Sequence, residues 1–282
     1  MGSSSGSDRL RDLQAFDDTK AGVKGLVDAG VTTIPAIFHH GPLLLESHDA
    51  EEDADVIPVI DLQADVERGH LVGQLRAAAQ CVGFFQVVNH GIPGELLEEM
   101  LAAVRRFNEQ PAEGKKAWYS RDSGRRVKFN SNFDLFQSPA ANWRDTLLLE
   151  LTPRPGPAAE EIPPESKGLQ VLMRQRWVDV PPVAGALVVN IGDLLQLVSN
   201  DLFRSVEHRV LATTAAAEPR LSVACFFRPD YACTRVYAPV TTTPLYRSTT
   251  MPEFLSHYRA KGLDGRSALH HFRIPPPSSP PH

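Results

Sequence analysis

The chain reads Ser205-Val206-Glu207-His208-Arg209-Val210-Leu211, and this stretch has the alternation of a β-strand with a histidine at its centre. Side chains two residues apart lie on the same face of a strand, so Val206, His208 and Val210 share one face. The β-branched residues on both sides predict that His208 faces inward, where its ring needs partners. The pattern alone leaves two interpretations open, a hydrogen-bonded core histidine and a metal ligand.

A second candidate site follows twelve residues later, in Pro219-Arg220-Leu221-Ser222. Arg220 and Ser222 point to the same side of a predicted strand, where a guanidinium and a hydroxyl can together hold one carboxylate. The alternative is an exposed salt bridge beside a small residue. The apolar run Val223-Ala224-Cys225-Phe226-Phe227 predicts that the strand at residues 221–227 is buried, and a buried arginine needs an anion.

Outward from these strands, the chain divides into a helical first part and a second part of short strands. Helical spacing of apolar residues predicts helices at residues 8–30, 66–82 and 93–108, and the third helix is expected to bury Leu97, Leu101 and Val104. Strand patterns are predicted at residues 56–62, 84–88, 146–151, 169–172, 177–180, 186–191, 205–211 and 221–227. This order favours a mainly β fold with flanking helices, a barrel or jelly roll, over a parallel α/β sheet.

Bulk composition is that of an ordinary globular protein. Hydrophobic residues make up 42% of the 282 residues, charged residues make up 22%, and the net charge is −5. These values give no reason to expect nucleic acid or a membrane surface as a partner. Cys81, Cys225 and Cys233 show no metal or redox spacing, and Cys81 and Cys225 are predicted to be small buried hydrophobes. The sequence shows no secretory leader or membrane span, and we predict a cytoplasmic protein.

Several further segments carry a family resemblance. The sequence contains Ile57-Pro58-Val59-Ile60-Asp61-Leu62, Gly83-Phe84-Phe85-Gln86-Val87-Val88-Asn89-His90-Gly91-Ile92, Asn142-Trp143-Arg144-Asp145, Gly168-Leu169-Gln170-Val171 and Val189-Asn190-Ile191-Gly192-Asp193. Together with the His208 and Arg220 strands, these segments resemble the plant 2-oxoglutarate/Fe(II) dioxygenases. The helix Phe16-Asp17-Asp18-Thr19-Lys20-Ala21-Gly22-Val23-Lys24-Gly25-Leu26 is similar to the aminocyclopropane-carboxylate-oxidase-like branch.

The resemblance implies both an activity and a set of cofactors. In this family, Fe(II) and 2-oxoglutarate activate O2, and a small substrate is hydroxylated while succinate and CO2 are released. Fe(II) and 2-oxoglutarate are therefore the implied cofactors, with ascorbate as a candidate third. Carried over to this chain, His208 would be the distal iron ligand, and Arg220 and Ser222 would bind the distal carboxylate of 2-oxoglutarate.

The resemblance also separates substrate-facing positions from structural ones. By analogy, residues near Phe129, Asn132 and Trp143 are expected to face a small-molecule substrate. The turn Asn89-His90-Gly91 has no ligand role in the family and is expected to lead into the next helix. Asp193 is likewise expected to be a turn or supporting residue.

The sequence lacks the motif that supplies the other two iron ligands in this family. A reactive Fe(II) site of this kind needs two histidines and one carboxylate on one face of the metal. No His-x-Asp or His-x-Glu occurs in the chain, and no histidine lies between His90 and His208. In the family a long helix, a Tyr-rich strand and the His-x-Asp strand precede the Gly-Leu-Gln-Val segment, whereas here Glu165 is followed almost at once by Gly168. We therefore predict an internal deletion and an incomplete double-stranded β-helix.

Three functional hypotheses follow from these features. The first is an impaired or inactive member of the dioxygenase family that binds its cofactors poorly. The second is a truncated, non-catalytic isoform that misfolds or binds a partner, with self-association through unpaired strand edges. The third is a metal-free jelly roll that binds a carboxylate through Arg220. The predicted divisions are an N-terminal region, a junction, the remaining jelly roll, a C-terminal segment and a Pro/Ser tail, at residues 1–152, 153–167, 168–232, 233–274 and 275–282.

Overall fold

The computed structural model describes residues 6–40, 56–63, 67–150, 169–212, 219–263 and 266–275. Its α-helices are α1 (Gly6–Asp18), α2 (Gly22–Asp28), α3 (Arg68–Cys81), α4 (Gly94–Glu109), α5 (Ala112–Lys116), α6 (Asp193–Val198) and α7 (Met251–Lys261). Its strands are β1 (Val59–Asp61), β2 (Phe84–Val88), β3 (Val127–Ser131), β4 (Asp145–Leu149), β5 (Leu169–Met173), β6 (Arg176–Asp179), β7 (Leu187–Asn190), β8 (His208–Val210), β9 (Val236–Tyr237) and β10 (Thr249–Thr250). The predicted deletion junction at residues 153–167 lies outside the described residues, as does the Pro/Ser tail beyond residue 275.

The chain forms two compact units, each assembled from separate stretches of sequence. The first unit comprises Met1–Glu46, Ile92–Lys167 and Leu211–Ala224. The second unit comprises Ser47–Gly91, Gly168–Val210 and Cys225–His282. His208 therefore belongs to the second unit, whereas Arg220 and Ser222 belong to the first.

The first unit packs two helices and an antiparallel hairpin around a small aromatic core. Strands β3 and β4 pair in a register that sets Phe129 opposite Leu147. The predicted helix at residues 8–30 is present as α1 and α2, with Lys20 at a positive φ between them. The core residues are Leu13, Phe16, Val23, Phe38, Leu135 and Ala141. The predicted helical stretch is therefore confirmed as two helices, in which Leu13, Phe16 and Val23 are buried as their spacing indicated, whereas Leu10 is 57% exposed.

A remote carboxylate holds the start of α2. Asp145, the first residue of β4, accepts hydrogen bonds from the backbone N–H groups of Val23 at 2.7 Å and Lys24 at 2.9 Å, and from the hydroxyl of Ser131. Gly22 has a φ of +70°, and a Cβ there would collide with this carboxylate. Burial raises the pKa of Asp145 above its ordinary value, although the three hydrogen bonds act in the opposite direction.

Replacing Asp145 with alanine is expected to destabilise the chain by about 3 kcal/mol, because two helix N–H groups and a hydroxyl lose their acceptor. Urea unfolding followed by circular dichroism measures the change. Arg144→Ala removes an exposed neighbouring side chain, and this control should stay within about 0.5 kcal/mol of the unmodified chain. An Asp145→Ala protein with an unchanged urea midpoint would contradict this role.

A second polar cluster ties α1 to the segment that precedes β3. Arg121 donates to both carboxylate oxygens of Asp17, at 2.8 and 2.6 Å, and to the carbonyl oxygen of Asn132 at 2.7 Å. The Tyr119 hydroxyl donates to the same carboxylate. Burial alone would raise the pKa of Asp17, but the hydrogen bonds from Arg121 and Tyr119 outweigh it and the pKa is lowered. This cluster fixes α1 and has no feature of a catalytic site.

The second unit contains two three-stranded sheets. In the first, β2 lies between β1, which is parallel to it, and β7, which is antiparallel. In the second, β5 lies between β6 and β8, and all pairs are antiparallel. The buried side chains of Phe84 from β2 and Val171 from β5 pack in one cluster with Ile57 and Val180, which joins the two sheets. Helix α3 covers the first sheet through Ala78 and Ala79.

The end of the chain adds a helical cluster to this unit. Leu197 of α6 packs with Phe254 of α7 and with Phe272 of the 3-10 helix Ala268–Phe272, and Tyr246 completes the cluster. Thr250 caps α7 by accepting a hydrogen bond from the N–H of Glu253. None of the described helices is both long and apolar enough to span a membrane.

Two burial predictions are wrong. Helix α4 has no fully buried residue, and Leu97, Leu101 and Val104 are only half-buried. Cys81 was predicted to be buried and is exposed. Helix α3 faces its sheet through Ala79, and a residue two positions further along a helix points about 200° away from that face.

Candidate functional site

His208 begins β8, at the edge of the second sheet. Antiparallel pairing sets it opposite Val171 of β5. Its ring centroid lies 5.9 Å from that of buried Phe84, and its Nδ1 lies 3.3 Å from the carbonyl oxygen of Val206. The side chain is exposed. The structure therefore places His208 on the strand that the sequence predicted, supported on one side by an aromatic ring.

The predicted inward orientation of His208 is wrong. Val206 is half-buried, but His208 is exposed and Val210 has 49% of its side chain exposed. An alternating strand buries one face only when another layer covers that face. Strand β8 pairs with β5 on one side, and the part of the chain that the structure describes supplies no strand to its other side.

The donors around His208 do not fit Fe(II) as this type of site holds it. Three protein donors must converge on one face of the metal. Within the described ranges, no group of three or more His, Cys, Asp or Glu side chains is arranged to hold a metal ion. Two further candidates, His90 and Asp193, have other positions in the fold, since His90 Nε2 lies 2.8 Å from the carbonyl oxygen of Gly185 and Asp193 begins α6. Both agree with the structural roles expected for them.

Arg220 and Ser222 lie in a segment without secondary structure, in the first unit. The Nε of Arg220 is shielded from solvent and has no hydrogen-bond partner among the described residues. Burial lowers the pKa of its guanidinium below the ordinary value. Ser222 is exposed. Arg220 is thus a partly desolvated cation without a hydrogen-bond acceptor among the described residues, as expected of a side chain that binds an anion.

The predicted buried strand at residues 221–227 is not formed. Phe226 is 84% exposed, Phe227 is 99% exposed, and Cys225 is exposed as well, contrary to prediction. The segment has the composition of a strand, but a strand is stable only when it pairs with neighbours and covers a core. Within the described residues it has no such neighbour.

Phe129, Asn132 and Trp143 mark the region where substrate-facing residues are expected, and their own side chains take part in packing or hydrogen bonds. Phe129 is fully buried and has rings of Phe107 and Tyr119 beside it, at 5.5 and 5.8 Å. Asn132 is 1% exposed and exchanges two hydrogen bonds with the backbone of Asn142. Trp143 packs edge-on against Phe38. The burial of Phe129 and Asn132 gives both side chains a packing role, and the expectation that residues near them face a substrate stays a prediction.

One buried lysine of the first unit, Lys115, is not among the residues predicted from the sequence. Lys115 is 1% exposed, donates to the carbonyl oxygen of Asn108 at 2.7 Å and lies 5.6 Å from the ring centroid of Phe129. Burial lowers its pKa. No local pattern indicates that Lys115 is buried, because it lies beside Lys116 in α5 and two adjacent lysines ordinarily indicate an exposed helix.

Comparisons with known proteins identify the class. Residues 57–168 match the family described as the N-terminal region of non-haem dioxygenases in morphine synthesis. Residues 161–229 match the 2OG-Fe(II) oxygenase superfamily. The chain therefore belongs to the plant 2-oxoglutarate/Fe(II)-dependent dioxygenases. It is 41% identical to 1-aminocyclopropane-1-carboxylate oxidase homolog 1 of Arabidopsis thaliana, with 95% of this chain and 97% of that protein covered. The corresponding homolog of Solanum lycopersicum is 36% identical, with the same coverage of both chains.

Solved structures confirm the fold class. The crystal structure of JOX2 in complex with 2OG, Fe and JA matches with a TM-score of 0.66 and 22% identity, covering 90% of this chain and 98% of that one. The dioxygenase for auxin oxidation from rice matches with a TM-score of 0.56 and 21% identity, covering 78% of this chain and all of that one. The prediction of a mainly β, helix-flanked fold of the jelly-roll type is therefore confirmed.

The alignment with the Arabidopsis homolog 1 is longer than this chain. It extends over 357 residues and takes in 97% of the Arabidopsis protein, whereas this chain has 282 residues. The alignment therefore contains gaps on the side of this chain.

Proposed function

We propose that this chain is a family member without a working iron centre, and that it does not hydroxylate a small molecule with 2-oxoglutarate and O2. The absence of any His-x-Asp or His-x-Glu from the sequence carries this proposal. Loss of a group that merely supports a metal ligand costs about 10–100-fold in affinity or activity. The loss of two ligands themselves should cost more than that.

We place the deletion between Glu165 and Gly168. The excess of the 357-residue alignment over this chain supports a missing internal segment. Among the described residues no strand covers His208 or Phe226, which supports the loss of elements that would pack there. These are separate parts of the chain, and the absence of one contiguous jelly-roll segment accounts for both.

Three residues would keep part of the role that the family resemblance gives them. His208 would be the remaining iron ligand, and Arg220 with Ser222 would bind the distal carboxylate of 2-oxoglutarate. The shielded Nε of Arg220 supports this assignment, because a desolvated guanidinium gains from an anion. Without metal chelation of the keto acid, 2-oxoglutarate would be held by its distal carboxylate alone.

A second proposal is that the chain acts as a non-catalytic isoform through association with another chain. The exposed aromatic pair Phe226 and Phe227 favours it, together with the side of β8 to which no described strand pairs. Exposed apolar segments and strand edges are sites of pairing or aggregation. A second copy of this chain is the simplest such partner, because it presents the same segment.

The catalytic proposal is tested by measuring succinate formation from 2-oxoglutarate by the purified chain with Fe(II), ascorbate and O2. We expect no succinate above the rate without protein. His208→Ala should give the same result as the unmodified chain, because a single histidine does not keep the metal in place. Turnover by the unmodified chain that His208→Ala abolishes would overturn the proposal.

A further inference from the structure

A groove in the second unit lies apart from the residues discussed so far. Tyr231, Pro252, Leu255, Ser256 and Arg259 line it, and its volume is about 370 Å³. Four of these residues belong to α7, and Tyr231 lies in the segment before β9. The volume is at the lower end of the range of about 300–1,000 Å³ for small-molecule sites.

Two arginines stack on the tyrosine of this groove. The guanidinium carbon of Arg228 lies 3.6 Å from the ring centroid of Tyr231, and that of Arg259 lies 4.7 Å from it. The two cations are consequently no more than about 8 Å apart. Each gains from the negative face of the ring, but they repel one another.

Arg259 has no anionic partner within the described part of the chain. It is half-buried, and its contact with Tyr231 is accompanied by no hydrogen bond or ion pair to another described residue. The neighbouring carboxylates are engaged elsewhere, since Asp230 accepts from the N–H of Ala232 at 2.7 Å and Glu253 pairs with Arg247 at 2.6 Å. A guanidinium stacked on a ring through its face keeps its N–H edge available for an acceptor in its plane.

Helix geometry explains only part of this arrangement. Arg259 and Lys261 both lie in the last turn of α7, where a cation is favoured by the helix dipole. The helix dipole favours any positive charge at this end of the helix, whatever that charge contacts. It does not account for two guanidiniums on one ring beside a groove walled by Pro252 and Leu255.

We infer that this groove binds a small organic carboxylate. The carboxylate pairs with the guanidinium of Arg259, Ser256 offers a hydroxyl donor, and the apolar part of the ligand lies on Pro252 and Leu255. An arginine fork matches a carboxylate in two parallel hydrogen bonds. The site uses neither His208 nor Arg220, so it is independent of the proposed loss of the iron centre.

Calorimetric titration of the full chain with 4-phenylbutyrate tests this site, with the neutral 4-phenylbutyramide as the matched ligand. The acid is expected to bind saturably and the amide at least about tenfold more weakly, equivalent to about 1.4 kcal/mol. Arg259→Gln should weaken binding of the acid by a similar factor, and Arg259→Lys should restore part of it. Circular dichroism of each variant verifies that α7 and the rest of the fold are retained.

Two further variants separate this groove from other cations. Lys261→Gln removes the same charge from the same helix turn and should leave the affinity unchanged. Arg220→Gln should also leave it unchanged. The inference is overturned by undetectable binding of the acid, by equal binding of acid and amide, or by a folded Arg259→Gln protein that binds as the unmodified chain does. Loss of binding in Arg220→Gln or Lys261→Gln would overturn it as well.

Discussion

Insertion of the segment that we propose to be missing between Glu165 and Gly168 is expected to raise iron-dependent succinate formation at least about 100-fold above the rate without protein. The inserted residues are those of Arabidopsis 1-aminocyclopropane-1-carboxylate oxidase homolog 1 that have no counterpart in this chain. The expected size follows from the ligands, because even a supporting residue around a metal is worth about 10–100-fold. The measurement is conversion of 2-oxoglutarate to succinate under identical loading with Fe(II).

Two controls make this result specific to the iron site. The same insertion combined with His208→Ala should lose the gained activity, and so should the insertion combined with Arg220→Gln. An inserted chain that unfolds cooperatively but forms no succinate would contradict the proposed position of the deletion. Equal succinate formation with and without the insertion, in both cases above the rate without protein, would contradict the loss of the site itself.

The double substitution Phe226→Ser and Phe227→Ser is expected to weaken self-association of the chain by about 100-fold or more. These rings are 84% and 99% exposed. Burial of one phenylalanine contributes about 1.5–3 kcal/mol, and about 1.4 kcal/mol corresponds to a factor of ten in an equilibrium constant. Light scattering over a concentration series should show a shift from associated species to monomer.

Val240→Ser is the matched control for that experiment. Val240 is also 84% exposed, but it is a single apolar residue and not part of an aromatic pair. Its replacement should leave the distribution of species unchanged, because isolated surface hydrophobic residues are ordinary. An unmodified chain that is monomeric throughout the series would contradict association through Phe226 and Phe227.

Local patterns in the sequence correctly predicted the helices and strands that pack against neighbouring segments of the described chain. The strand predicted at residues 84–88 is β2, and the helix predicted at 66–82 is α3, one to two residues shorter at each end. Both pack within the second unit, where the apolar face of α3 lies against the apolar face of the sheet that contains β2. Helix ends usually vary by this much because the last turn frays.

The same patterns failed where burial depended on distant segments. Residues 221–227 have the composition of a buried strand, and His208 lies between two β-branched residues, yet Phe227 and His208 are exposed. An alternation of apolar residues indicates that one face of a strand is suited to burial, but it does not indicate that another layer is present to cover that face.

Contacts between remote parts of the chain lay beyond any local pattern. Nothing around Asp145 in the sequence indicates that it accepts from the N–H groups of Val23 and Lys24, more than a hundred residues earlier. The stacking of Arg228 and Arg259 on Tyr231 joins a loop to a helix in the same way. The resemblance assigns roles to His208, Arg220 and Ser222, and these roles stay predictions, because a motif does not describe the surroundings of its side chains.

The iron content of the purified 282-residue chain tests the central claim most directly. The protein is loaded anaerobically with Fe(II) and 2-oxoglutarate, desalted, and its metal is measured by mass spectrometry. We expect far less than one equivalent per protomer, with no change in His208→Ala. One tightly held equivalent that His208→Ala releases would contradict the claim, because it would require substitute donors that complete the site.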